Sequence, residues 1–241
     1  MQKKPLLLFD IDGTVTDTKA IDDHCFLKAF EHEFGVAVKF SGWNSYKHVT
    51  DSAIFKELYH SSFGEVAGEN HKLRFISRFN FLLDAARINQ PASFHPIPGS
   101  ADFIKLASLE RNFPIAFATG ANKNSAKMKL NAIGIDIESF PHASSDDSDL
   151  REEIMITAVS RSSTHYGSTI FNEESGIIYF GDGEWDFHAT QNLKMPFIGV
   201  DVKQSGKLEK LGTKNIIQDY KNTEKVFEII REMHSITHSK S

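Results

Sequence analysis

Two aspartates two positions apart, Asp10 and Asp12, close the short apolar run Leu6-Leu7-Leu8-Phe9 and are followed by Gly13 and Thr14. Carboxylates that close repel each other unless a cation or a proton resolves the conflict. A second pair, Asp182 and Asp186, stands in Gly181-Asp182-Gly183-Glu184-Trp185-Asp186. Its four-residue spacing puts both on one side of any helix that begins there. Between the two pairs along the chain, Thr119-Gly120 follows the apolar run Ile115-Ala116-Phe117-Ala118. A hydroxyl and an adjacent glycine can offer a side-chain donor and close backbone N–H groups to a phosphate. Carboxylates in excess suit a hard divalent cation such as Mg²⁺, which prefers oxygen ligands and keeps waters for a phosphate. Such an ion would offset the repulsion and leave one aspartate free to attack phosphorus.

Each motif alone has a plainer reading. Thr119-Gly120 is also a common turn, and the Asp182 segment is also a glycine turn with an N-cap aspartate. A calcium loop is excluded for the first motif, because setting Gly13 at its sixth position puts Lys19 where a glutamate is required. Neither GxGxxG nor GxxxxGK[ST] occurs.

The motifs matter together only if the fold brings them to one place. Short apolar runs recur at 6–9, 115–118, 177–180 and 197–200, with a weaker one at 139–143, as expected of strands buried on both faces. Helical spacing of apolar residues runs through 100–111, 123–133, 150–159 and the stretch around Val226, Ile230 and Met233. Strand alternating with helix predicts an α/β protein with a largely parallel sheet, whose ligands bind at the carboxyl ends of the strands. About a hundred residues separate the first two strands, too many for one crossover. They contain helical patterns near 21–34, 51–62 and 70–87 and end in the breakers Pro91, Pro96, Pro98 and Gly99. The expected organisation is an α/β core from residues 1–17 and 93–241 and a helical domain from 18–92 inserted into it.

The chain has 241 residues, 40% hydrophobic and 24% charged, enough for a sizeable core. Its net charge of −5 argues against a nucleic-acid binder. The one cysteine, Cys25, excludes an internal disulfide and a multi-cysteine zinc site, and its neighbours Phe26, Ala29 and Phe30 suggest a core position. No run approaches the ~20 apolar residues of a membrane span, and the N-terminus does not read as a signal peptide. The expectation is a cytoplasmic protein. His234 and His238 have a metal-ligand spacing but stand in a polar tail, expected to fray from Ser235, without a third ligand.

The ordered set LLLFDIDGTVTD, FATG and YFGDGEWD, with a helical insertion after the first, resembles the haloacid dehalogenase (HAD) superfamily over roughly residues 5–235. The likeness is greatest to phosphoglycolate-phosphatase-like members with a helical cap, and implies a Rossmann-like parallel core with an α-helical cap domain. It implies a Mg²⁺-dependent phosphatase acting on a small phosphorylated metabolite, as monomer or homodimer. Asp10 then corresponds to the nucleophile that forms an aspartyl-phosphate. Asp12 corresponds to the general acid/base. Thr119, helped by Gly120, would hold the phosphoryl group. Asp182, Asp10 and the Asp12 main-chain carbonyl would ligate the metal, with Asp186 ligating through water or supporting it.

The family also uses a cation, usually lysine, at the start of a helix before the fourth strand. Candidates are Arg151, Lys127 and Lys129. The lysines lie eight and ten residues past Thr119, roughly 12–15 Å down a helix leading away from the strand ends, so Arg151 is better placed. Against it stand its being arginine, a long 151–182 segment with an apparent loop near 163–175, and the alternative of a surface ion pair with Asp147 or Asp149. The acidic loop 146–149 is expected to cap a helix or be solvated. Trp43, Tyr46, Lys47 and His48 are candidates for a substrate entrance or for ordinary packing. A sugar-phosphate phosphomutase and a non-catalytic phosphate-binding protein are the alternatives on the same scaffold.

Overall fold

A computed structural model describes residues 4–38, 42–167 and 176–238. The apolar runs form β1 (Leu6–Phe9), β2 (Ile115–Ala118), β4 (Ile177–Gly181) and β5 (Phe197–Val200), joined by two short edge strands, β3 (His142–Ala143) and β6 (Ile216–Ile217). All pairs are parallel, in the order β3-β2-β1-β4-β5-β6. The weak run at 139–143 is strand only at its end: Ile137–Ser139 is a 3₁₀ turn, and Pro141 has no N–H to give a ladder. β6 had no sequence signal, since two isoleucines are too few to show a period.

Alternation puts successive strand residues on opposite faces, and helices cover both. On one face Leu7, Phe9, Phe117, Phe180 and Ile198 pack with Phe103 and Phe227; on the other Leu6, Leu8, Ala116 and Tyr179 pack with Ile154 and Met155. The covering helices are α4 (Ser100–Lys105, continued as a π turn over Leu106–Glu110), α5 (Lys123–Ala132), α6 (Arg151–Tyr166), α7 (Glu184–Asn192), α8 (Lys207–Lys210) and α9 (Thr223–His238). α9 continues past Ser235, where fraying was expected. The first residues of the expected 163–175 loop belong instead to α6, and 168–175 lie outside the described residues.

After β1, and before α4, the chain forms α1 (Lys19–Phe34), α2 (Asp51–Phe63) and α3 (Glu69–Asn89). They build their own core from Phe26, Phe30, Phe55, Phe75, Phe79 and Leu83, with Cys25 buried among them. Phenylalanines thus fill both this core and that of the sheet.

For function the register is decisive. Phe9 at the centre of the sheet pairs with Phe117 on one side and Phe180 on the other. Asp10, Thr119 and Asp182 follow within one or two residues and so emerge together at one edge. Phe9 is held there by Phe103, Phe117 and Phe180, the last stacked at 4.5 Å between ring centroids.

Candidate active site

Asp10 continues the ladder one step beyond β1, its N–H donating to the Phe180 carbonyl at 2.9 Å. Gly13 then turns the chain with φ +83°, and a Cβ there would lie 2.6 Å from Asp182 Oδ2. Only glycine tolerates both that backbone and that approach. Asp182 leaves β4, and Asp186 sits in the first turn of α7, wholly buried. The Gly183 N–H donates to Asp186 Oδ2 at 3.0 Å, and the Tyr179 hydroxyl lies 3.2 Å from its Oδ1. Asp10, Asp182 and Asp186 each present an oxygen within 4.8 Å of the others.

Arg151 is the first residue of α6, a position where the helix dipole disfavours a cation. It is nonetheless buried there, because its Nη1 donates to Asp10 Oδ1 at 3.1 Å and its Nε lies 3.5 Å from Asp186 Oδ1. Burial opposes its charge, but the Asp186 and Asp10 carboxylates more than offset this, and its pKa rises. Asp10 is pushed up to about 8, by burial first and then by the Asp186 charge, with Arg151 acting in the opposite sense. The expected alternative for Arg151, an ion pair in the acidic loop, is not formed: Asp147 pairs with Arg161 and Asp149 with Lys56. Nor does that loop cap α6, whose N-cap is Leu150; Asp146 accepts from the Lys123 N–H at the start of α5.

The donor set fits a divalent cation. Asp182 Oδ1 is buried without a hydrogen-bond partner among the described residues. Its Oδ2 is bonded by Lys19, with Lys207 at 3.8 Å. Burial disfavours the Lys19 ammonium, but Asp182 outweighs that and its pKa is raised. An oxygen-seeking ion among Asp10, Asp182 and Asp186 would satisfy the orphan atom and relieve the repulsion that raises Asp10.

Asp12 faces the other way, toward the inserted helices. Thr18, the N-cap of α1, makes no capping bond and instead donates its hydroxyl to Asp12 Oδ1 at 2.6 Å. Lys129 donates to Asp12 Oδ2 at 2.8 Å and also bonds Asp22 of α1. The expectation that Lys129 lies far from the strand ends is therefore corrected. The chain loops over 119–122 before α5 begins, and a lysine side chain points back along its helix, so the ammonium returns to the DxD turn. Lys129 is completely buried; burial opposes its charge, but Asp12, Asp22 and Asp51 raise its pKa overall. Lys127 stays at the surface, 3.5 Å from Glu138.

Thr119 is buried, with its Oγ accepting from the Ala121 N–H at 3.2 Å. Gly120 passes so near the insertion that a Cβ would lie 2.7 Å from the Val49 carbonyl and 3.0 Å from Arg151. Its own carbonyl accepts from the Asp51 N–H at 2.8 Å.

These groups enclose a cavity of about 70 Å³ between sheet edge and inserted helices, lined by Asp10, Asp12, Thr119, Gly120 and Arg151 below and by Asp22, Asp23, Asp51, Phe26 and Trp43 above. Lys19, Asp22, Asp23, Asp51 and Lys129's inward reach were not anticipated, because charged residues on a helix ordinarily mark its solvent face. Of the anticipated entrance residues, Trp43 reaches this cavity, while Tyr46, Lys47 and His48 line an adjoining cleft of about 330 Å³ that also reaches Arg151. Trp185 lines both and lies under the Lys19 ammonium at 5.2 Å.

Residues 7–200 match the family described as Haloacid dehalogenase-like hydrolase. Among solved structures, a hydrolase from Pseudomonas syringae is 17% identical, with a TM-score of 0.69 over 92% of this chain and 97% of that one. The CbbY protein of Rhodobacter sphaeroides, in complex with phosphate, is 16% identical, with a TM-score of 0.67 over 90% of this chain and 95% of its own. A β-phosphoglucomutase candidate from Bacteroides vulgatus is 13% identical, with a TM-score of 0.69 over 96% and 90%. No curated protein matches the chain. Among the described residues no helix is long and apolar enough to cross a membrane.

Proposed function

Because the chain belongs to the haloacid dehalogenase-like hydrolase family, we propose that this enzyme is a divalent-metal-dependent phosphatase that hydrolyses a small phosphomonoester through an aspartyl-phosphate. The observation that carries the reading is the placement of Arg151 on Asp10, at 3.1 Å, within a cluster of three carboxylates whose oxygens lie within 4.8 Å of one another. In this reading a nucleophile, its charge partner and an oxygen-rich cation site share one sheet edge.

Asp10 attacks phosphorus, forming a P–O bond as the ester P–O bond breaks. Asp12, reached by neither Arg151 nor the metal cluster, gives a proton to the departing alkoxide. It then takes one from the water that cleaves the aspartyl-phosphate and restores the Asp10 carboxylate. Thr119 and the backbone at Gly120 position the phosphoryl oxygens. Arg151 balances charge on Asp10 and on the transferring group; it is the only one of the three cation candidates that reaches Asp10 among the described residues. A Mg²⁺ ion held by Asp10, Asp182, the Asp12 main-chain carbonyl and Asp186 would supply further neutralisation of the phosphate oxygens. The helices of 18–92 act as a cap that must open to admit substrate and close to exclude water.

The test is phosphate release from p-nitrophenyl phosphate by the purified protein, with and without Mg²⁺. Release should require the ion, and Asp10→Asn should fall to background. Full activity in that variant would remove Asp10 from the mechanism. A β-phosphoglucomutase candidate of similar fold makes a mutase the second reading; conversion of a hexose 1-phosphate into its 6-phosphate without net phosphate release would favour it.

A further inference from the structure

The two walls of the cavity differ in charge. On the phosphate side the carboxylates have cations: Arg151 for Asp10 and Asp186, Lys19 for Asp182. On the opposite wall, where a leaving group protonated by Asp12 must depart, stand Asp22 and Asp23 of α1 and Asp51 of α2. Lys129 is shared between Asp12 and Asp22 and is fully buried behind them. Lys19, which opens α1 and also lines the cavity, is engaged with Asp182.

The three carboxylates are oriented, each through one oxygen. Asp22 Oδ1 is bonded by Lys129 and lies 3.4 Å from the Ser125 hydroxyl. Asp23 Oδ1 accepts from Trp43 Nε1 at 2.8 Å. Asp51 Oδ2 accepts from the Asn122 N–H at 2.8 Å and its amide at 3.1 Å. No described residue bonds the second oxygen of Asp23 or Asp51. The remaining wall is apolar: Phe26 and Trp43 in edge contact at 5.6 Å, with Val49 and Ile54. The cavity points to a ligand on grounds independent of these acids, since it contains the proposed nucleophile Asp10 and the buried Arg151 that holds it.

Carboxylates beside aromatic faces attract an ammonium, and with few cations to spare they repel a second anion. Resting on the phosphatase reading above, we propose that the substrate is a phosphomonoester whose alcohol carries an ammonium group, received by Asp23 and Asp51 beside Trp43. The wall then selects against a carboxylate-bearing alcohol, and phosphoglycolate, the substrate that the family resemblance suggests, is a poor one.

Three two-carbon esters that differ only in the end group test this: 2-aminoethyl phosphate, 2-hydroxyethyl phosphate and phosphoglycolate, with p-nitrophenyl phosphate as reference. The expected order of kcat/KM is ammonium, hydroxyl, carboxylate, with about a hundredfold between first and last. Asp23→Asn, which can still accept from Trp43, should lower the ammonium-to-hydroxyl ratio about tenfold. Hydrolysis of the reference with phosphoglycolate or the hydroxyl ester equal to or better than the amine overturns the inference and leaves the phosphatase reading standing. Failure to hydrolyse any of the four overturns the phosphatase reading, and this inference with it.

Discussion

The carboxylates of the sheet edge and those of the inserted helices answer to different constraints. Asp10, Asp182 and Asp186 are placed by the ladder: parallel register at Phe9, Phe117 and Phe180 leaves no freedom about where the next residues emerge. Asp22, Asp23 and Asp51 are placed by how three helices rest on that edge, through Lys129, Trp43 and Asn122. The first group is suited to holding phosphate and metal in one fixed geometry. The second stands on the helices opposite that edge, which suits recognition of whatever leaves.

The joint between the two groups is Lys129, and breaking it should have the largest effect. Lys129→Met leaves the half-buried Asp12 and Asp22 without the fully buried cation between them, a loss of about 3–5 kcal/mol in stability. Urea unfolding measures it; a loss below about 1 kcal/mol would mean that the ion pair holds nothing together. On the sheet side, Arg151→Ala should lower kcat by about 10²–10³-fold, with Arg151→Lys recovering part of that through charge alone. An Arg151→Ala enzyme with unchanged kcat would return this role to another cation.

The next contrast is in pH dependence. Asp10 titrates at about 8 in the folded protein against an ordinary 3.8, pushed up by burial and then by Asp186, and Asp51 at about 6, also through burial first. Both folded values are raised, so folding favours the protonated forms. The stability they contribute is complete below the ordinary value and is lost as pH climbs through 6 and 8. A Mg²⁺ ion held at Asp10 would compete with its proton, so the thermal stabilisation it gives should grow from pH 6 to pH 8 by a few degrees, about 1 kcal/mol. Scanning calorimetry with and without the ion checks this, and a shift independent of pH would contradict it. The smallest effect is expected where the two units meet in solvent. Lys56→Ala, which removes an exposed partner of Asp149, should change stability by less than about 1 kcal/mol.

The same contrast explains what could be read from sequence. A four-residue run such as Leu6–Phe9 or Ile115–Ala118 announces a buried strand, and residues just past such runs share an edge whenever the sheet is parallel; Asp10, Thr119 and Asp182 were legible for that reason. Arg151 was legible as the opening residue of a helix after a loop, although its partners were not. Axial rise along a helix misplaces Lys129, because it leaves out the reach of the side chain and the direction in which α5 departs. Asp22, Asp23 and Asp51 carried no signal, because the face an inserted helix turns toward the rest of the molecule is fixed by distant packing. β6 was missed because its two residues are shorter than any period.

The central claim is that Asp10 itself receives the phosphoryl group. Acid-quenching the enzyme with Mg²⁺ and p-nitrophenyl phosphate, followed by peptide mass spectrometry, tests it most directly. The account predicts a peptide containing Asp10 heavier by one phosphoryl group, accumulating further in Asp12→Asn and missing from Asp10→Asn. Turnover with Asp10 unmodified, or with the phosphoryl group on another residue, would contradict it.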